Sequence, residues 1–145
     1  MFCSAEPDGA AAVTQGVADR LAAPPTTARI AVVRIASGAT PTIAATDSAT
    51  RVFTVTPGDA FYRVAELKAA FDYVLFDAQL AGSVPETLIT ASTTDGVVLV
   101  VNERTTHRRT AEEMVDLLKA SGMRPMGVVL TDRSYPIPQS LYERL

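Results

Sequence analysis

Residues Gly96–Val101 are almost wholly Val and Leu, and shorter apolar runs recur at Ile30–Ile35, Tyr73–Phe76 and Met126–Leu130. Runs of this length without polar alternation read as strands covered on both faces. Amphipathic stretches separate them, which is the pattern of a parallel sheet wrapped by helices. The expected fold class is therefore α/β: a doubly wound, mainly parallel sheet of about six strands with helices on both faces. Met1–Ser4 is a short first strand and Arg51–Thr56 a further one. Helices are expected over Ala10–Ala22, about Ala60–Ala70, from Pro85 to about Ala91, and from Thr106 or Thr110 to about Ala120. Pro24-Pro25 stops the first of these and Gly122 the last. The small, polar stretch Ser37–Ala49 reads as a loop or a weakly structured region. Residues 1–145 form one domain, with 134–145 as a C-terminal tail packed on it or extending from it.

Composition removes several classes of function. A formal charge of −3 gives no electrostatic case for nucleic acid. Arg104, Arg108 and Arg109 cluster locally, but Glu103, Glu112 and Glu113 flank them, so a solvated helix end is expected. The lone Cys3 excludes an internal disulfide and fits a reducing compartment as a buried thiol. His107 is the single histidine and reads as a surface residue at a helix start, so no His-based metal cluster is expected. No run reaches the roughly 18–20 apolar residues of a membrane span, and no signal peptide is visible. A cytoplasmic protein, or a cytoplasmic piece of something larger, is expected.

In a doubly wound sheet the ligand crevice lies past the carboxyl ends of the strands. The first such end carries Ser4-Ala5-Glu6-Pro7-Asp8-Gly9-Ala10-Ala11-Ala12-Val13. A nucleotide-binding loop has a glycine-rich turn there, then Lys for the outer phosphates and Ser/Thr for Mg²⁺. Here Ala10, Ala11 and Ala12 follow the turn, and the first lysine of the chain is Lys68. Gly9 and the helix dipole could still attract an anion, but Glu6 and Asp8 oppose one. Thr14 lies five residues after Gly9, too far to replace the metal-binding hydroxyl. The second end carries Arg34 and Ala36 where catalytic Mg²⁺ would need paired carboxylates. Arg34 is expected to be neutralised by an acid such as Asp77, or to bind an anion. The third end is Phe71-Asp72-Tyr73-Val74-Leu75-Phe76-Asp77-Ala78-Gln79, with Asp77 in the place of a Walker B acid or of an ordinary loop anchor.

Taken together, these segments resemble the cytoplasmic catalytic domain of the bacterial tyrosine kinases that control capsular and exopolysaccharide assembly, relatives of ParA-type ATPases. Ser4–Pro7 is similar to the family's lead-in to its P-loop, and Phe71–Asp77 to its Walker B strand. Asp95–Val101 followed by Thr105-Thr106 is similar to its next strand and helix start, and Gly122 with Gly127–Leu130 to its last strand. The departures are systematic. The family's P-loop Lys and Ser/Thr fall at Ala10–Ala12. Its second Walker motif falls at Arg34 and Ala36, and its following Arg at Gly38. Its Thr-Pro-Pro falls at Ala78-Gln79-Leu80. Its tyrosine-rich tail is reduced to Tyr135 and Tyr142, and its N-terminal oligomerisation helix has no counterpart.

Phosphoryl transfer is almost entirely positioning and charge neutralisation, so three coordinated losses argue against it. The resemblance implies a non-catalytic, pseudokinase-like module with no cofactor and no metal. It would act in cell-surface polysaccharide (exopolysaccharide, capsule or holdfast) biosynthesis or export, binding a membrane-bound chain-length or export protein at the inner face of the cell membrane. A homo-oligomer is compatible with this. The competing expectation is an atypical ATP-binding tyrosine kinase or ATPase of the same pathway, using Asp77 and the backbone of the loop. A third is a substrate phosphorylated in trans at Tyr135 and Tyr142, against the plainer reading that this tail packs on the sheet.

Overall fold

A computed structural model describes residues 1–26, 28–38, 40–45, 49–80, 85–123 and 125–132. The elements run β1 (Phe2–Ser4), α1 (Ala11–Ala22), β2 (Ile30–Ile35), β3 (Thr42–Ala45), β4 (Thr50–Val55), α2 (Pro57–Ala70), β5 (Tyr73–Gln79), α3 (Pro85–Ser92), β6 (Val97–Asn102), α4 (Arg108–Ala120) and β7 (Pro125–Thr131). The strands form one sheet in the order β3-β4-β2-β5-β1-β6-β7. Every pairing is parallel except that of β3 with β4. The doubly wound α/β expectation holds.

Strand alternation sorts the side chains to two faces. Cys3, Val33, Phe53, Phe76, Ala78 and Leu99 join one core with Val64 and Leu67 of α2 and Met114 and Leu118 of α4. On the other face Ile30, Val32 and Leu75 pack with Ala18 and Leu21 of α1. Phe2 and Val100 pack there with Ala10, Val13 and Val17. Local signals set the helix ends. Thr56 Oγ1 accepts the Asp59 N–H at 3.3 Å and donates to Asp59 Oδ2 at 2.7 Å, with Pro57 opening α2. Gly122 follows α4 in the left-handed region at φ 76.

Four expectations are corrected. Ser37–Ala49 is not all loop: Thr42–Ala45 form β3, an antiparallel edge strand, so the sheet has seven strands rather than six. The β5 strand does not stop at Phe76 but continues through Gln79, and its Tyr73 is 44% exposed rather than covered on both faces. Among the described residues the last strand, β7, pairs with β6 alone and is largely exposed, not a core strand. Neither Thr106 nor Thr110 caps α4: the N-cap is exposed His107, without a side-chain cap bond. Thr106 is drawn away by Glu6, as described below.

Candidate functional site

The direction of the strand order reverses about β1, which lies between β5 and β6. The turn after β1 therefore sits at the crevice of the fold. It is wound tightly on itself. The Gly9 N–H donates to the Glu6 carbonyl at 3.2 Å and the Ala11 N–H to the Asp8 carbonyl at 3.0 Å. The Ser4 hydroxyl donates to the same Glu6 carbonyl at 2.8 Å. Asp8 takes up a left-handed conformation at φ 55. Gly9 is needed for packing: a Cβ there would lie 2.9 Å from Ser4 Cβ and Oγ and 3.2 Å from the Glu6 carbonyl oxygen. Pro7 and Asp8 are exposed, Ala10 is fully buried, Ala11 is half-buried and Ala12 is exposed.

The hydroxyl of Thr14 is also engaged. It is fully buried and donates to the Ala10 carbonyl at 2.9 Å, one turn back in α1. The neighbouring strand holds the loop from the other side. The Leu80 N–H donates to the Ser4 carbonyl at 2.8 Å and Gln79 Nε2 to the Ala5 carbonyl at 3.0 Å.

Arg34 and Asp77 are direct cross-strand partners on β2 and β5. Both lie two residues beyond side chains packed with α1, so both face that helix. Asp77 is 5% exposed, and burial pushes its carboxyl up to about 6. Arg34 pulls it down, and Asp8 across the turn pushes it further up. The expectation that Arg34 and Asp77 neutralise each other is met only in part. The register brings them together and their charges interact, but no ion pair within 4 Å joins them, and Arg34 Nε is buried without a partner. Ala36 follows β2 half-buried, its N–H donating to the Val55 carbonyl.

Sequence reasoning missed a second network. The Glu6 carboxylate accepts the Thr105 hydroxyl at 3.1 Å and the Thr106 hydroxyl at 2.9 Å. Thr106 Oγ1 in turn accepts the Asn102 N–H at 3.1 Å, and Asn102 Nδ2 donates to Asp132 Oδ2 at 2.6 Å. The turn after β1 is thus strapped to the turn after β6 and to the end of β7. The signal was present as an acid and two threonines at the ends of adjacent strands, but nothing in the sequence fixed their register.

Cys3 is fully buried and burial pushes its thiol up to about 12, which leaves it unreactive. Arg108 pairs with Glu112 and Arg109 with Glu113 along the exposed side of α4, as a solvated face requires. Among the described residues no group of three His, Cys, Asp or Glu side chains could hold a metal ion. No helix among them is long and apolar enough to cross a membrane. Tyr135, Tyr142 and the 134–145 tail lie outside the described residues.

No protein-family model matches the sequence, and no curated protein sequence matches it. Solved structures do match in three dimensions. The VpsO kinase domain has a TM-score of 0.74 at 16% identity, covering 92% of this chain and 84% of that one. The kinase domain of the Escherichia coli tyrosine kinase ETK has a TM-score of 0.68 at 13% identity, over 94% and 70% of the two chains. A ParA-family ATPase from Chlorobium tepidum has a TM-score of 0.69 at 13% identity, over 89% and 71%. The shared property is architecture: this chain has the P-loop NTPase-like α/β fold of these kinase and ATPase domains.

Proposed function

We propose that this chain is a non-catalytic, tyrosine-kinase-like module that works by binding other proteins in cell-surface polysaccharide biosynthesis or export. The observation that carries the reading is the turn after β1. Two of the N–H groups at the place where a polyphosphate would be cradled donate to the loop's own carbonyls. The nearby Thr14 hydroxyl is spent inside α1. Charge points the same way, since the acids Glu6, Asp8 and Asp77 lie at the ends of β1 and β5, where Arg34 is the cross-strand neighbour of Asp77. A triphosphate with Mg²⁺ does not fit this donor set, and no step of phosphoryl transfer is assigned to the site. The pathway rests on the family resemblance of the strand ends and on the fold shared with the VpsO and ETK kinase domains.

Isothermal titration with Mg-ATP and with Mg-ADP tests the first half of this reading, and no saturable heat is expected at millimolar nucleotide. Affinity that Asp77→Ala abolishes would establish the competing reading, an atypical ATPase or tyrosine kinase of the same pathway. The second half predicts that affinity-tagged protein expressed in its host recovers a membrane-bound chain-length or export protein. Recovery of no component of the polysaccharide machinery from detergent-solubilised membranes would remove the pathway assignment.

A further inference from the structure

Side chains of β7 alternate between the two faces of the sheet. Val128 lies beside Leu99 and Leu130 beside Val101, which puts both on the face that carries α2 and α4. They are nevertheless 57% and 56% exposed. Val129, on the α1 face, is half-buried and packs with Phe2 and Val100. The described residues therefore cover one face of β7 and leave an apolar stripe on the other. Next to that stripe α4 borders two hollows that meet at Lys119. One, of about 360 Å³, follows Ala111, Val115 and Lys119. The other, of about 700 Å³, lies between Lys119, Gly122, Met123 and Pro125. They form a trough with half-buried Ala111, Val115 and Met123 along its floor and exposed Glu112 and Asp116 on its rim.

We propose that residues 135–145 of the same chain dock in this trough and cover Val128 and Leu130. Continuity favours this occupant. The chain leaves β7 at Asp132, which is held in a left-handed conformation at φ 51 with its Oδ2 accepting from Asn102 Nδ2 at 2.6 Å. The β6–α4–β7 connection is a parallel crossover, so the Arg108 end of α4 lies at the same end of the sheet as Asp132. The segment therefore starts at the mouth of the trough. Reach is sufficient: residues 133–145 span roughly 40 Å when extended, and the seven residues of β7 only about 23 Å. The sequence suits a face and not an edge. Pro136 and Pro138 have no N–H to offer a neighbouring strand. Tyr135 and Ile137 recur at the spacing of an extended segment, Leu141 and Leu145 at that of a helical turn, so each half can present one apolar side. Gln139, Ser140, Glu143 and Arg144 fall between them and suit the charged rim. The tether also favours this segment over a free partner, since a short linker holds it at an effective concentration of about millimolar.

Paramagnetic broadening in the full chain tests the placement. A nitroxide is attached at Asp116→Cys on the rim of the trough, or at Arg20→Cys on α1 across the sheet; buried Cys3 stays unlabelled. The label at position 116 is expected to remove the amide signals of residues 137–145, and the label at position 20 to leave them. Ile137→Asp in the segment and Val128→Asp on the stripe should each restore those signals with the label at 116. Circular dichroism checks that both variants are folded, and the exposed position of Val128 tolerates the change. Spin-labelled protein mixed with unlabelled, isotope-enriched protein separates the copies: no broadening is expected in the enriched one. Signals untouched by the label at 116, equal broadening from position 20, or broadening that survives both aspartates would each overturn the proposal. Broadening in the mixed sample as strong as in the singly labelled protein would overturn it too, by giving the trough to the segment of a second copy.

Discussion

Replacing Asp77 with asparagine is expected to make this protein more stable at neutral pH, by about 1–3 kcal/mol. The carboxyl is 5% exposed, and burial, with Asp8 adding to it, outweighs the Arg34 charge in raising it from 3.8 to about 6. That displacement corresponds to roughly 3 kcal/mol between the two protonation states. The sign follows from linkage. The folded protein holds this proton more tightly than the unfolded chain does, so Asp77 costs nothing below about pH 3.8. Its cost grows as pH rises through 3.8 to 6 and is constant above that. Asparagine keeps the shape and removes the ionisation, while leaving a polar group that still needs partners, so the gain falls short of the ceiling. Urea unfolding of both proteins at about pH 5 and about pH 7.5 reads the difference, which should shrink toward the acid end. The comparison matters because other carboxylates act oppositely: Asp72, hydrogen-bonded to the Arg29 guanidinium and N–H, is held low and loses its stabilisation in acid. Asp77→Asn less stable than wild type at pH 7.5 would mean that Arg34 compensates the buried charge after all.

That uncompensated pair also shows how far the sequence reached. The central strands were legible, though not their ends, because parallel strands of a wrapped sheet are apolar on both faces. The mostly apolar runs at Ile30–Ile35 and Val97–Asn102 fit such strands. Asp77 and Arg34 could be put at one end of the sheet, but not at one register, since register depends on where every strand starts. The β3 strand escaped because Thr42–Ala45 is a four-residue edge of threonine, isoleucine and alanine, supported by its pairing with β4 and not by its own pattern. The exposure of β7 escaped for the opposite reason: its apolar pattern says that it belongs in a sheet and says nothing about how well its faces are covered. Glu6 shows the same limit at the candidate site. Its role as an acceptor for Thr105 and Thr106 spans about a hundred residues, and no local spacing encodes that.

Ala10→Lys is expected to lose about 3–5 kcal/mol of stability and to gain no affinity for nucleotide. A working phosphate-binding loop needs a lysine close to this point in the chain, and a graft is the direct way to ask whether that one side chain separates this turn from such a loop. The packing answers against it. Ala10 is fully buried, in one cluster with Phe2 and Val100 and against Val13 and Val17. A lysine there must either neutralise its amine in an apolar setting or force the first turn of α1 off the sheet, and both costs are several kcal/mol. Overpacking beside Phe2 adds to them. Ala12→Lys is the matched control: it changes net charge identically at an exposed position of the same turn and should shift stability by no more than about 0.5 kcal/mol. Thermal unfolding separates the two variants, and titration with Mg-ATP follows on whichever remain folded. If Ala10→Lys were as stable as Ala12→Lys and bound ATP, the turn would be a loop missing one side chain. If the lysine instead unfolds the start of α1, the point where such a loop carries its phosphate-reaching amine is here part of the hydrophobic core. Reversing that would require rebuilding the contacts of Phe2, Val13, Val17 and Val100 together with the loop.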